Sequence, residues 1–349
     1  DVAICSCNPL STQDDVAAAL AKSCIKVFGY KGETKEDYYK FINAVIATKP
    51  NITIDDGCDL VTEIHNKHPE LIKDIIGGNE ETSTGVIRLK AMEKDGALKY
   101  PVIAVNDNKT KHLLDNYYGT GQSALDGIIR GTNILFAGKD VVVAGYGDCG
   151  KGVSQRAKGL GANVIVTEVN HFRALQAKLD GFRVMSMQEA AKIGDIFITV
   201  TGNKHVIKIE HINQMKDGAI LANAGHFDAE IDYAGLKKMA TKVKEIRPLV
   251  EEFTLKNGNK MFALANCRLV NLSLAEGHPS EVMSTSFCGQ ALAVEYLVKN
   301  KGKLPVAVIT LPEEIDDNIA RLQLEAMGVR IDSMTNEQKK YVESWKEGT

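Results

Sequence analysis

The stretch AGYGDCGKG, residues 144–152, decides the fold. It follows the apolar run DVVVA, residues 140–144, and leads into the helical run KGVSQRAKGLG. A strand that ends in spaced glycines and feeds a helix is a dinucleotide-binding turn. Gly145 permits the tight turn, Gly147 lets the backbone approach a pyrophosphate, and Gly150 lets the helix pack on the strand. The helix start offers free N–H groups and the positive end of its dipole to phosphate. Glu168 closes the next strand, VIVTE, where a carboxylate hydrogen-bonds the adenosine ribose diol. That carboxylate repels a 2′-phosphate, so NAD is the expected cofactor rather than NADP. Arg173 is the one nearby residue that would suit NADP.

Outward from the turn, runs rich in Val and Ile (Val102–Val105, Val141–Ala144, Val164–Thr167, Ile196–Val200, Ala219–Leu221) alternate with helical stretches. The front run DVAIC also reads as a strand. This alternation predicts an α/β fold of parallel βαβ units with helices on both sheet faces. Asn257-Gly258, between EEFTL and KMFAL, is a hairpin signal. Junctions are expected near residues 116–121 (NYYGTG) and 276–280 (EGHPS), the second before a helical run ending around Asn300. The expected plan is a doubly wound parallel-sheet (Rossmann) NAD domain, 118–278, inserted in a second α/β substrate domain. That substrate domain is discontinuous, 1–117 plus 279–330. A C-terminal helix, 331–349, follows, capped at Thr335. Ligand sites favour the cleft such a junction makes.

The chain has 349 residues, 44% of them hydrophobic and 25% charged, the profile of an ordinary globular protein with room for two domains. A net charge of −3 gives no electrostatic reason to expect nucleic acid or an anionic membrane as partner. No run approaches the roughly 18 apolar residues of a membrane span, and no secretory leader is read. The seven cysteines are scattered without a CxxC pair, so neither disulfides nor zinc are expected and a reducing cytoplasm fits. His65 and His68 share a helical face but lack further ligands. They are expected to be exposed helix residues, and no metal is expected.

Three motifs before the turn are rich in polar groups. ITIDDGCDL, residues 52–60, ends a strand in Asp55 and Asp56, where open α/β sheets put their ligands; Asp59 is expected to cap the next helix. NEETSTGVIRL, residues 79–89, sets Glu81 before Thr82, Ser83 and Thr84, more hydroxyls than a cap needs. VNDNKTKHLLDNYYGTG, residues 105–121, spaces Lys111 and Asp115 at i, i+4, on one helical face. That pair is either a surface ion pair or a proton-handling pair beside a nicotinamide. His226, after the strand AILANAG, takes a ligand-facing position.

These motifs, with GYGDCGKG, TEV, NAGHFD, RLVNLSLAEGHPSEVM and the opening CNPLSTQDD, closely resemble the S-adenosyl-L-homocysteine hydrolase family over essentially the whole chain. The resemblance implies hydrolysis of S-adenosyl-L-homocysteine, or of S-inosyl-L-homocysteine, to nucleoside and L-homocysteine. The path implied is a 3′-keto intermediate with internally recycled NAD. It implies that Lys111 and Asp115 handle the 3′-hydroxyl proton, the lysine with a lowered pKa through burial. Asp56 acts in acid–base steps at the leaving group and water, and Glu81 orients the ribose hydroxyls. His226 lies on the homocysteine side, and His278 closes over substrate at the second junction. Asn116 supports the nicotinamide, Thr82, Ser83 and Thr84 reach across to the cofactor, and Asn271 contacts its carboxamide. Thr201 and Asn223 complete the implied cofactor set. His112 takes no role. The resemblance also implies a homotetramer.

Four departures stand against the family pattern. Its N-terminal histidine–threonine motif is absent, and since the chain starts at Asp1 the true N-terminus is expected to lie upstream. Thr120 stands where many members have cysteine. Asn266 and Cys267 replace Glu-Gly. Glu276 replaces methionine at the edge of the base pocket, where a carboxylate favours a base with an N–H. The ending ESWKEGT is similar to the short archaeal or thermophilic branch, in which some methanogen members prefer S-inosylhomocysteine. Two rival readings are a D-2-hydroxyacid dehydrogenase, for which Arg268 is a loose candidate arginine, and an NAD-binding regulatory relative without activity.

Overall fold

In a computed structural model, described over residues 1–346, the glycine turn lies within an eight-stranded sheet. Six parallel strands run in the order Arg183–Val184, Asn163–Thr167, Asp140–Ala144, Ile196–Thr199, Ala219–Asn223 and Lys260–Leu264. Numbered along the chain that order is 3-2-1-4-5-6, the doubly wound arrangement, and the turn after Asp140–Ala144 sits where the order reverses. Two antiparallel strands, Val250–Thr254 and Lys242–Arg247, extend the far edge. The first of them pairs with Lys260–Leu264 across the expected Asn257-Gly258 turn.

The central strands are apolar throughout because both faces are covered. Val141, Val143, Ile196 and Ile198 pack into one core cluster, and Val142, Ile165, Phe197 and Leu221 into the other. That alternation follows the two-residue repeat of a strand.

A separate four-stranded parallel sheet has the order Val308–Ile309, Val102–Ala104, Gly77–Glu80, Ile52–Asp55. Its strands come from before and after the large sheet in sequence. Ala3–Cys5 pairs in parallel with Lys26–Phe28.

At the junction expected near NYYGTG the chain is helical. Lys109–Lys111 enters a π-helical segment, His112–Gly119, that continues directly into the α-helix Thr120–Thr132. The glycines there serve close packing rather than a turn, since a Cβ on Gly121 would sit 2.7 Å from the Gly152 carbonyl carbon. Wide π-turns recur at functional sites, and this one carries Asp115 and Asn116. The helix Ser280–Lys299 follows the second expected junction. The Thr335 cap holds, with a reciprocal capping box to Gln338 on the helix Asn336–Val342. The terminal helix is shorter than the expected 331–349, spanning Asn336–Val342 among the described residues, and positions 347–349 lie outside them. Among the described residues no helix is long and apolar enough to cross a membrane.

Candidate active site

The helix Asp148–Gly159 begins at Gly147 with no side-chain cap, leaving its first N–H groups open to a ligand. Gly145 has φ +108°, and a Cβ on Gly150 would lie 2.1 Å from the Gly145 carbonyl oxygen, so both positions need glycine. A Cβ on Gly147 would meet only Arg173 Nη1, at 3.7 Å; the space beside it is the cradle a pyrophosphate fills. Glu168 accepts hydrogen bonds from the N–H of Tyr146 (2.7 Å), Val169 (2.7 Å) and Asn170 (2.9 Å). Its carboxylate is thereby fixed against the glycine turn, where a ribose diol bonds. The residues fit NAD.

The polar motifs of the front half converge on Lys111. Its buried ammonium donates to Asn116 Oδ1 at 2.8 Å and lies 3.3 Å from Asp115 Oδ2 and 3.7 Å from Glu81 Oε1. Lys111 and Asp115 therefore form a buried pair, and the surface reading fails. Burial depresses the Lys111 ammonium, but the charges of Glu81, Asp115 and Asp56 outweigh it and its pKa stands above the ordinary lysine value. The lowered lysine expected from sequence is thus corrected: three carboxylates surround it. Burial lifts Glu81 to about 7, against the opposing pull of Lys111 and a hydrogen bond from Gln290 Nε2 at 2.8 Å. Burial pushes Asp115 up as well, yet His278 Nδ1, Lys111 and the Ser286 hydroxyl (2.8 Å) together hold it well below the usual carboxylate range. Asn116 Nδ2 donates to Asn106 Oδ1 at 3.2 Å, which also accepts from the Ser83 hydroxyl at 3.1 Å.

A second group forms around Asp56. His226 Nδ1 stands 3.8 Å from Asp56 Oδ1, and the Cys7 thiol donates to Asp56 Oδ2 at 3.6 Å. His226 is buried, and its Nε2 has no hydrogen-bond partner among the described residues. His278 joins the two halves of the chain: beyond Asp115, its Nε2 lies 3.3 Å from both Asn271 Nδ2 and the Thr120 hydroxyl. Thr84 reaches the large sheet, its Oγ1 lying 3.2 Å from where a Cβ on Gly202 would be. The Thr82 side chain makes no cap bond at its helix start. Thr201 donates through its N–H (2.9 Å) and hydroxyl (2.5 Å) to Glu230.

Several expected details change. Asn223 is wholly buried and its amide is spent on the loop that carries His226 and on neighbouring backbone, so the side chain does not face a cofactor. Asp59 does not cap its helix. It pairs with Arg88 at 2.7 Å, and the cap bond comes from Asp55, which accepts from Val61 N–H at 2.9 Å. His65 and His68 are half-buried rather than exposed. His65 bonds the Val61 carbonyl and accepts from Lys99 N–H, and His68 Nε2 bonds Asn43 Oδ1 at 2.8 Å. Among the described residues no group of three or more His, Cys, Asp or Glu is placed to hold a metal. Glu276 is exposed and paired with Arg130 at 2.5 Å, so its carboxylate is not free for a base. Arg268 is taken by Asp228 at 2.7 Å, which leaves a hydroxyacid dehydrogenase without its arginine.

Sequence reasoning missed Ser286, Gln290 and Asn106. The signal existed for two of them: Ser286 and Gln290 lie four apart on the helix Ser280–Lys299, within an otherwise apolar run. Glu80 was also missed; fully buried and pushed up by that burial, it accepts from the Gly57 (2.8 Å) and Thr82 (3.0 Å) N–H groups and shapes both loops.

Residues 116–277 match the family described as "S-adenosyl-L-homocysteine hydrolase, NAD binding domain", and residues 1–69 match "S-adenosyl-L-homocysteine hydrolase". The chain is 61% identical over 349 residues to the S-inosyl-L-homocysteine hydrolase of Methanocaldococcus jannaschii, covering all of this chain and 84% of that protein. It is 59% identical over 350 residues to the adenosylhomocysteinase of Saccharolobus solfataricus, again covering all of this chain and 84% of the relative. With the adenosylhomocysteinase of Thermococcus kodakarensis it shares 56% identity over 349 residues, all of this chain and 83% of that protein. The chain belongs to the S-adenosyl-L-homocysteine hydrolase family and is an NAD-dependent hydrolase.

Proposed function

We propose that this chain hydrolyses S-adenosyl- or S-inosyl-L-homocysteine to the nucleoside and L-homocysteine, borrowing a hydride and returning it in each turnover. The observation that carries the reading is the buried Lys111 ammonium held among Glu81, Asp115 and Asn116. NAD, when bound, supplies a reversible hydride sink, which lets C3′ of the ribose pass through a ketone and so acidifies the 4′ proton.

Lys111 relays the 3′-hydroxyl proton. As a charged ammonium it takes that proton only while passing one on, and Glu81, lifted to about 7, is the neighbour able to receive it near neutral pH. Asp115 stays ionised and fixes the ammonium, itself oriented by His278 and Ser286. Asp56 and His226 serve the elimination. The 4′ proton passes to this pair, the C5′–S bond breaks with its electron pair leaving on sulfur, and a proton delivered there makes the thiol. Water then adds at C5′, and the proton it gives up passes through the same pair to C4′, restoring the 4′ C–H bond before C3′ is reduced back. Asn116, Asn271, Thr82, Ser83, Thr84, Gly145, Gly147, Gly150, Glu168 and Thr201 hold the cofactor. Asn223 acts through the loop instead. His278 spans Asp115, Thr120 and Asn271, which suits closure over substrate and exclusion of water from the reactive enone. The substrate domain 1–117 plus 279–330 closes on the NAD domain 118–278 about the helix carrying Asp115 and the segment carrying His278.

A homotetramer is the proposed assembly. Val169, Phe172, Leu175 and Leu179 leave an exposed apolar strip along the helix His171–Leu179, the kind of surface an interface covers. The seven cysteines are all unpaired, which suits a reducing cytoplasm.

With Glu276 turned to Arg130, base choice rests on other groups. Parallel thiol-release assays with the two thioethers decide it. Faster release from the inosyl compound assigns hypoxanthine, and faster release from the adenosyl compound assigns adenine. Release from neither, by NAD-loaded protein, would reject the hydrolytic reading.

A further inference from the structure

We infer that Asn223 is a positioning residue for His226, gripping the peptide on either side of it; the inference rests on the role given to His226 above. His226 needs such support. Its Nε2 has no hydrogen-bond partner among the described residues, and its Nδ1 is 3.8 Å from Asp56, beyond hydrogen-bond length. The ring is therefore placed by packing, close against Gly57 and edge-on to Phe227, and by its backbone.

That backbone is held chiefly by the Asn223 amide, while Asn8 Nδ2 donates to the His226 carbonyl itself at 3.5 Å. Asn223 ends the strand Ala219–Asn223, and its Nδ2 donates to the carbonyls of Gly225 (3.0 Å) and Phe227 (2.9 Å), the residues just before and just after His226. The Cys267 carbonyl, also 3.0 Å from Nδ2, shares one of its two N–H protons. Its Oδ1 accepts from Gly225 N–H at 2.8 Å and from the Thr199 hydroxyl at 3.0 Å. Turning the amide over would set NH₂ against N–H and carbonyl against three carbonyls, so only one orientation satisfies the site. Because the side chain is fully buried, water cannot replace any of these bonds.

The far anchor is itself unusual. Ala265, Asn266 and Cys267 have φ of 51°, 54° and 57° in succession, and strained backbone of this kind persists only where its surroundings over-determine it. The carbonyl presented by that turn is one that Asn223 takes. The loop is thus tied at once to its own strand, to the neighbouring strand through Thr199, and to a left-handed turn.

The test uses NAD-loaded protein and separates two readouts. Adenosine and inosine report reduction of the nicotinamide, which involves no leaving group, while the two thioethers report thiol release. Asn223→Asp replaces the NH₂ donor with oxygen facing three carbonyls. It is expected to lower thiol release about 30-fold or more, since misplacing a catalytic group by an ångström costs about 100-fold. Nicotinamide reduction and NAD content stay within about threefold on the same argument. Thr199→Val, which only removes the hydroxyl fixing the amide, gives the same split at about three- to tenfold and serves where the Asp variant does not fold. In a His226→Asn background, Asn223→Asp or Thr199→Val adds no more than about twofold, because a residue that acts through another is silent once that other is gone. Independent losses in that background, or equal losses in both readouts, overturn the inference. Thiol release unaffected by His226→Asn alone overturns the role of His226, and the inference with it.

Discussion

Lys111→Met is expected to slow nicotinamide reduction by nucleoside about 1000-fold, the range lost when a positioned proton carrier is removed. Methionine keeps most of the volume of the stem, so packing changes little, but the proton path from the 3′-hydroxyl to Glu81 is cut. Two carboxylates are also left without their cation. Asp115 keeps His278 and Ser286, whereas Glu81 keeps only Gln290 and shifts further toward its protonated form. NAD content remains near parental, because the glycine turn and Glu168 lie on the other sheet. In the parent, reduction gains rate as pH rises through about 7, where Glu81 becomes able to accept a proton, and that dependence disappears in the variant. Stopped-flow absorbance of reduced nicotinamide measures both effects. A variant within tenfold of the parent would remove Lys111 from the proton path.

Asp56→Asn is expected to uncouple the two halves of the reaction. Oxidation at C3′ uses the Lys111 cluster and continues. Elimination and hydration use the Asp56–His226 pair, and these steps fall about 100-fold with loss of general acid–base assistance. Reduced nicotinamide therefore accumulates on the enzyme with the thioether substrate, while free thiol appears slowly. The asparagine preserves shape, and Cys7 and His226 still meet a polar group of the same size. Thiol titration alongside absorbance distinguishes this outcome from simple inactivation, in which both signals fall together.

The central strands of the large sheet were legible because they are buried on both faces and read as apolar runs broken by glycine turns; the edge strands Lys242–Arg247 and Arg183–Val184, largely exposed, were not. The strand Gly77–Glu80 was not, because GGNE has no strand propensity. It forms because small residues let other groups close in: a Cβ on Gly78 would lie 2.3 Å from Thr53 Oγ1, and one on Gly77 2.6 Å from Leu297 Cδ2. The Lys111–Asp115 pair was visible as helical spacing, but the upward shift of the lysine, against the pull of burial, depends on Glu81, which lies far from it along the chain. Asp59 gives up the expected helix cap to Asp55 for a similar reason. Both suit a helix start, and only the position of Arg88 decides which one is drawn away. Asn223 shows the limit most clearly. The family resemblance places Asn223 among the cofactor contacts, and only the fold reveals five backbone and hydroxyl partners around it.

The central claim is that the hydride is borrowed rather than consumed. The direct measurement is thiol released per enzyme-bound NAD, with reduced nicotinamide followed in the same cuvette, using S-adenosyl- and S-inosyl-L-homocysteine in turn. Many thiols per NAD with a small, steady fraction of reduced cofactor is the predicted result. One thiol or fewer per NAD, with reduced cofactor accumulating to stoichiometry, would show that the cofactor is spent and would contradict the account.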